Sequence, residues 1–450
     1  MTSPAGNATS NVAVIGGGWA GLAAAVTLAE HHHPVTVFEA SRSLGGRARR
    51  VEIEGRMLDN GQHILIGGYT ESQRLMRLVG LDPAAQLIRS PMALSVHPGF
   101  TLRARRLPGH LGLAAGLLGA QGITFSERLS AVGFMRRVRN AGFKLPHDQS
   151  VRRLLEEHEQ SRDICRFLWH PLCIAALNTP PAQASARVFL SVLRDTVGVG
   201  GGAADLLLPR IDLSALFPEP AARYIEQRGG RVELARSIRR ITRTSTGWQV
   251  NDGVERYGAV IVACAPQHAV PLLAPFAELA AERAALQSFE YEPILTCYLE
   301  YPEDFRLPQP MLGVAEGMVQ WLFDRGQLGG PAGLIAAVTS ASRDDGRLPE
   351  LALRAAKEIA AIFPEAPSPR WMRVIAERRA TFACTPDLRR PTNRTLVGGL
   401  YLAGDYTASD YPATLESAVR SGITAGQLVR DATHKAAHSA ETPQQLRPAA

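Results

Sequence analysis

Lysine is nearly absent from this chain: Lys144, Lys357 and Lys435 stand against 46 arginines among 450 residues. The resulting net charge of +7 invites a nucleic-acid or anionic-membrane reading. No recognisable nucleic-acid module accompanies the charge, so nucleic acid is not an expected partner. The arginine bias, beside abundant Ala, Gly and Pro, reads as a mark of base composition. Cysteine is sparse as well. Cys165, Cys173, Cys264, Cys297 and Cys384 are scattered and odd in number, with no C-x-x-C pair. That spacing excludes a zinc ribbon and a disulfide framework and suits thiols in a reducing cytosol. No apolar run is long enough to span a membrane. Met1 to Ser10 has neither a basic nor an apolar region, so no signal peptide is expected. The run His31-His32-His33 reads as an exposed turn, and no metal site is expected.

What the chain does have is a hydrophobic content of 46% with 20% charged residues, enough to fill a large core in two or three domains. Its most informative stretch comes first. Val12 to Ile15 reads as a buried strand, Gly16, Gly18 and Gly21 fall in G-x-G-x-x-G order, and Leu22 to Ala29 continues as an Ala/Leu-rich helix. Pro34 to Glu39 supplies a second strand closed by an acid 18 residues after Gly21. Gly16 permits a tight turn, Gly18 lets the backbone approach a pyrophosphate, and Gly21 lets helix and strand pack closely. The helix start at Trp19 and Ala20 offers free N–H donors to that pyrophosphate. An acid at Glu39 accepts a hydrogen bond from a ribose 2′-hydroxyl. Together these features specify a dinucleotide site.

Further pieces of the same pattern recur along the chain. Gly229 to Leu234 opens a strand, Trp248 to Glu255 alternates as a hairpin around Asp252-Gly253, and Tyr257 to Cys264 is a buried strand stopped by Pro266. Leu400 to Asp405 is a last apolar strand, followed by a helix from about Thr414 to Arg430. These pieces predict a discontinuous nucleotide domain from 11–90, 221–270 and 390–432, with 91–220 and 271–389 forming a substrate- and membrane-facing domain. In that second domain Leu129 to Val138 and Leu351 to Phe363 have helical periodicity, while Ile294–Tyr301, Met318–Phe323, Leu334–Val338 and Met372–Ala376 read as strands. Residues 1–10 and 433–450 are expected to be disordered tails. Gly198 to Ala203 imitates a second dinucleotide loop, but no strand precedes it and it is read as a flexible loop.

Ser43-Leu44-Gly45-Gly46-Arg47 places paired glycines beside an arginine, suiting a backbone that passes close to phosphate. Asp59-Asn60-Gly61-Gln62-His63 follows, and Gly404-Asp405 and Tyr411 to Gly422 lie near the end. With these motifs the chain resembles the FAD-dependent amine oxidase and phytoene desaturase superfamily over 11–432, and its squalene-associated branch, the hydroxysqualene dehydroxylases, most of all. The resemblance implies an α/β fold: a Rossmann-like FAD-binding domain with an interleaved α+β substrate domain of mixed sheet and helices. It implies FAD held by Gly16, Gly18, Trp19, Ala20, Gly21, Glu39, Gly45, Gly46, Arg47, Gly61, Gln62, His63, Val232, Gly404, Asp405, Ala413, Thr414 and Leu415. Glu39 would take the adenosine ribose, the Val232 backbone the adenine, and Asp405 the ribityl–pyrophosphate region. Ala413 to Leu415 would face the pyrimidine edge, where a helix start stabilises negative charge. Glu416 is read as a support for that helix.

The implied reaction is reductive: a triterpene alcohol of bacterial hopanoid biosynthesis loses its hydroxyl and gains hydride from reduced FAD, giving squalene. Departure of water needs an acid or hydrogen-bond donor, for which His63, Asp410, Tyr406 and Tyr411 are the candidates. A carotenoid-type desaturase is the alternative within the superfamily. A flavin amine oxidase and a non-catalytic flavin-binding subunit are the alternatives from other classes. The substrate, a hydrophobic isoprenoid, dissolves in membrane, so a cytoplasmic enzyme peripheral on the inner face of the cytoplasmic membrane is expected. Leu107 to Phe125, preceded by Arg103, Arg105 and Arg106, reads either as an interfacial docking segment or as a core helix pair. Neighbouring squalene-pathway enzymes and an unidentified electron donor complete the expected partners.

Overall fold

A computed structural model of the chain describes residues 11–441 apart from 106, 108–110, 198–201 and 342–346. Two sheets organise it. The first is parallel and five-stranded, in the order Arg231–Glu233, Val35–Phe38, Val12–Ile15, Ala259–Val262, Leu400–Leu402. Four of these strands are buried along their whole length. Uninterrupted apolar strands are what a parallel sheet covered on both faces requires. The helix Trp19–Glu30 packs against the sheet with nearly every residue buried. The helix Leu415–Glu441 then lies across it at very short range. A Cβ on Gly422 would meet the Ala20 carbonyl at 2.1 Å, and one on Gly426 would meet that of Ala24 at 3.0 Å. Glycines four apart against alanines let the two helix backbones touch.

The second sheet has seven strands, ordered Trp371–Phe382, Tyr291–Glu300, Leu334–Ser340, Trp321–Asp324, Met311–Val314, Ala93–His97, Phe100–Arg103. All its pairings are antiparallel except Met311–Val314 against Ala93–His97. In Tyr291–Glu300, Leu295, Cys297 and Leu299 join the apolar cluster that includes Leu351, Ala355 and Ile359 of the helix Leu348–Ile362. Thr296 and Tyr298 point the other way, onto the Asp59–His63 segment.

Several expectations need correction. The longer strand pair is Ile241–Thr244 with Gly247–Val250, which turns at 245–246. The chain also reverses around Asp252-Gly253 as expected, but there only one antiparallel bridge forms, Trp248 with Tyr257. Pro266 does more than stop a strand. It opens the helix Pro266–Leu273, where a missing N–H costs nothing. The expected disorder of 433–450 fails for 433–441, which continue the last helix; 1–10 and 442–450 lie outside the described residues. The Gly198–Ala203 segment is preceded by the helix Ala186–Val197 and followed by the strand Leu206–Pro209, with 198–201 outside the described residues.

Glu416 has a larger task than supporting its own helix. The helix Thr70–Leu78 has no side-chain cap of its own. The fully buried Glu416 carboxylate accepts the N–H of Ser72 at 2.9 Å, that of Glu71 at 3.1 Å and the Ser72 hydroxyl at 2.7 Å. Arg420 completes its charge balance at 2.8 Å. A remote carboxylate thus caps one helix from another. Glu416→Ala strands these donors in the interior, and urea unfolding should report a loss of about 2–4 kcal/mol. Glu416→Gln should recover part of it, and equal stability of all three chains would refute the role.

Candidate active site

The first glycine loop has the geometry its residues forecast. Gly16 has φ +115°, and a Cβ there would stand 2.8 Å from the Ala263 carbonyl, so the turn excludes any side chain. Gly18 begins the helix Trp19–Glu30 with no side-chain cap and no acid in the first turn. The N–H groups of Trp19, Ala20 and Gly21 are left to an anion. Gly45 lies directly alongside: its N–H donates to the Gly17 carbonyl at 2.9 Å, and it forms a parallel bridge with Gly18. The two glycine segments, more than twenty residues apart in sequence, therefore lie side by side. Glu39 adjoins them, accepting the N–H groups of Gly17 and Ser41, both at 2.7 Å. Val232 sits beside it in the edge strand, paired with Val37. The uncapped helix start, the bare Gly18 and the oriented carboxylate fit the phosphates and ribose of FAD.

Arg47 and Asp405 meet each other in this structure. Arg47 Nη2 lies 2.6 Å from Asp405 Oδ2, and Nη1 donates to the Ala380 carbonyl at 2.6 Å. Past Asp405 the chain is shaped by a residue the sequence reading passed over. Arg390 donates to the carbonyls of Asp405 at 2.6 Å, Tyr411 at 2.8 Å, Ser409 at 3.0 Å and Tyr406 at 3.4 Å. Four carbonyls converging on one guanidinium fold residues 405–411 into a single loop. The only sequence sign was its place in Arg389-Arg390-Pro391 ahead of the last strand. At the start of the final helix, Thr414 and Ser417 cap each other's N–H groups, at 3.1 and 2.9 Å. The backbone of Ala413 and Leu415 flanks that cap.

Of the four candidate donors, the loop carries three to different surroundings. Asp410 is 75% exposed and faces Arg194 at 3.8 Å. Tyr406 is buried with its ring against Gly404, and burial pushes its phenol well above the ordinary value. Its hydroxyl points to the Val262 carbonyl at 3.4 Å. Tyr411 lies under the Arg420 guanidinium, 5.3 Å from the ring centre.

His63 belongs to a separate cluster with Gly61 and Gln62. Its Nδ1 lies 3.1 Å from the Gly61 carbonyl, and a carbonyl only accepts, so Nδ1 carries the hydrogen. Burial lowers its pKa from the ordinary value, a shift that the Gly61 bond opposes and Arg47 reinforces. Gln62 donates to the Tyr298 hydroxyl at 2.7 Å and accepts from Arg325 at 3.2 Å. Tyr298 in turn donates to the Asp59 carbonyl at 2.8 Å. Thr296, Tyr298 and Arg325 went unnoticed in the sequence. Thr296 and Tyr298 were legible as two polar positions at period two within the apolar run Ile294–Leu299.

Asp59 itself is buried, accepting the Leu213 N–H at 2.8 Å. Desolvation outweighs that bond and nearby Arg325, and raises its carboxyl to about 6. A raised carboxyl pKa means that the folded state binds the proton more readily than the unfolded chain. Stability should therefore rise as pH falls from 7 towards 4. Measured by urea unfolding across that range, the gain relative to Asp59→Asn should be on the order of 3 kcal/mol. Parallel pH curves for the two chains would refute the assignment.

Comparison with known proteins agrees with this geometry. The model of the family described as "Flavin containing amine oxidoreductase" matches residues 19–430. The chain is 32% identical over 434 residues to a hydroxysqualene dehydroxylase of Rhodopseudomonas palustris, covering 94% of this chain and 98% of that protein. It is 29% identical over 439 residues to one of Sinorhizobium fredii, covering 94% and 99%. Among solved structures it shares the fold of cyclohexylamine oxidase from Brevibacterium oxydans, with a TM-score of 0.69, 19% identity, and 95% and 100% of the two chains covered. Paired glycine segments beside an oriented acid, and similarity over 94% of its length, place the chain in the flavin containing amine oxidoreductase family, among its hydroxysqualene dehydroxylases.

Proposed function

We propose that this chain carries out the FAD-dependent reductive dehydroxylation of hydroxysqualene to squalene, within bacterial hopanoid biosynthesis. The observation that carries the reading is the end-to-end match to hydroxysqualene dehydroxylases, 94% of this chain against 98% of a relative at 32% identity. The reduced flavin, when bound, supplies the hydride that replaces the hydroxyl. The protein's own task is to hold the alcohol and protonate it as it leaves. His63 suits that task best. Its Nδ1–H is held by Gly61, so a second proton sits on Nε2, the nitrogen free of the backbone. Exposed Asp410 and the high pKa of buried Tyr406 support them less.

The pH dependence follows with a definite sign. Burial holds the His63 pKa below 6.5, so its acid form grows as pH falls through and below that value. Anaerobic single turnover of photoreduced enzyme with hydroxysqualene should quicken towards acid pH. His63→Ala should keep its flavin, lose on the order of 10²–10⁴ in rate and show a flat profile. Flavin loss in step with rate would make His63 a cofactor contact instead. Dehydrogenation of a polyene by oxidised enzyme, without dehydroxylation, would favour the desaturase reading.

A substrate this apolar is collected at a membrane, and we place the docking face on the helices Leu111–Leu118 and Phe125–Asn140. No helix among the described residues is long and apolar enough to cross a bilayer. The segment divides its residues in two. Gly112, Gly116 and Leu117 face the core, while Leu111, Leu118, Phe125 and Leu129 are 52%, 40%, 63% and 49% exposed. Arg103, Arg105 and Arg136 are exposed in the same region of the chain. Exposed apolar side chains with exposed arginines nearby in the chain suit an anionic interface. The further partners on this reading are neighbouring squalene-pathway enzymes and a separate electron donor. Co-sedimentation with phosphatidylglycerol vesicles should fall only partly in high salt, since each arginine contributes about 1 kcal/mol that salt screens. Leu111→Asp with Phe125→Asp should abolish the salt-resistant part with flavin retained. Unchanged sedimentation of that variant would remove this face from consideration.

A further inference from the structure

The strand Tyr291–Glu300 sends two polar side chains towards the Asp59–His63 segment, and they fare differently. Tyr298 is satisfied on both sides, donating to the Asp59 carbonyl and accepting from Gln62. Thr296, two residues earlier on the same face, is 1% exposed, and its hydroxyl has no hydrogen-bond partner among the described residues. A buried hydroxyl left alone costs about 1–3 kcal/mol. Strand propensity does not explain it, because valine offers the same shape without the cost.

The hydroxyl faces a gap. Flanking residues aside, a group set where a side chain of Gly61 would begin has two neighbours within 4 Å: Thr296 Oγ1 at 3.8 Å and His63 Cε1 at 3.9 Å. The gap is bounded on one side by an unpaired hydroxyl and on the other by an imidazole. Gly61 is not in the left-handed region, so its lack of a side chain keeps this space open rather than serving a turn.

We propose that Thr296 is a specificity-determining residue that hydrogen-bonds the hydroxyl of the alcohol substrate in the gap beside Gly61. This rests on the dehydroxylase reading and deepens it. Thr296 Oγ donates its hydrogen to the alcohol oxygen and transfers no proton, and His63 stands across the gap. A site built to satisfy a buried hydroxyl favours the alcohol over the hydrocarbon product, because squalene leaves the threonine unpaired again. Product release is thereby aided by the same residue that selects the substrate.

The test compares wild type, Thr296→Val and Thr296→Ser in anaerobic turnover of hydroxysqualene, with squalene as competing ligand. Thr296→Val should lose about tenfold in kcat/KM. It should also lose the preference for hydroxysqualene over squalene read from flavin fluorescence, with flavin content and absorption spectrum unchanged. Thr296→Ser should stay within about twofold of wild type, in line with a role for the hydroxyl alone. If Thr296→Val does not fold, the same comparison is made between Thr296→Ser and Thr296→Ala. Equal kcat/KM and equal ligand preference with and without the hydroxyl would overturn this inference while leaving the dehydroxylase reading intact. A shifted flavin spectrum or lost flavin would overturn it too, by making Thr296 a cofactor contact. A wild-type chain that converts no hydroxysqualene overturns the parent reading instead.

Discussion

The ion pair between Arg47 and Asp405 fastens together parts of the chain that lie far apart in sequence. Arg47 comes from the second glycine segment, Asp405 follows the last strand of the parallel sheet, and the Ala380 carbonyl that Arg47 also holds belongs to the seven-stranded sheet. Two sheets and a loop thus share one guanidinium. Asp405 is nearly inaccessible, so without Arg47 its charge would face the interior unpaired. This pair fixes the second glycine segment, which sets Gly45 beside Gly18, against the end of the last parallel strand.

Around that fixed point the molecule separates two kinds of polar work. On the nucleotide side, backbone N–H groups and carboxylates do nearly everything: Glu39 is held by Gly17 and Ser41, and Glu416 caps a helix that is not its own. On the other side, side chains answer side chains. Arg325, Gln62 and Tyr298 form a chain of bonds ending on the Asp59 backbone. Backbone-built sites tolerate changes of side chain that preserve turns. Side-chain networks do not, because each member is sized to its neighbour.

Much of the first kind was legible in the sequence, for a physical reason. Gly16, Gly18 and Gly21 announce themselves since only glycine satisfies the turn and the close approach. The parallel strands announce themselves as unbroken apolar runs. The second kind was harder to read. Thr296 and Tyr298 are brought near Arg325 only by sheet order and by Gln62 from another part of the chain, and Arg390 matters through four carbonyls that carry no sequence signature. The turn at Asp252-Gly253 forms but carries a single bridge, Trp248 with Tyr257, while the longer pairing of Gly247–Val250 is with Ile241–Thr244, a partner the alternation did not reveal. The last helix outran its expected end because polar residues that continue a helix look, in sequence, like those of a loose tail.

The parallel sheet takes its central strand and one neighbour from the start of the chain and one of its two edge strands from Leu400–Leu402. On the ribosome the sheet therefore stays incomplete until late in synthesis. Val12–Ile15 and Val35–Phe38 emerge first, but the strand that covers the free edge of Ala259–Val262 emerges only when nearly the whole chain has been made. Until then that edge offers unpaired backbone groups to any passing strand. The nascent chain carries this exposed edge from Val262 until Leu400–Leu402 follows, about 140 residues or roughly 7–28 seconds at 5–20 residues per second. Closure of the sheet waits on its last strand, and the interval before it is when the chain is most open to pairing with another.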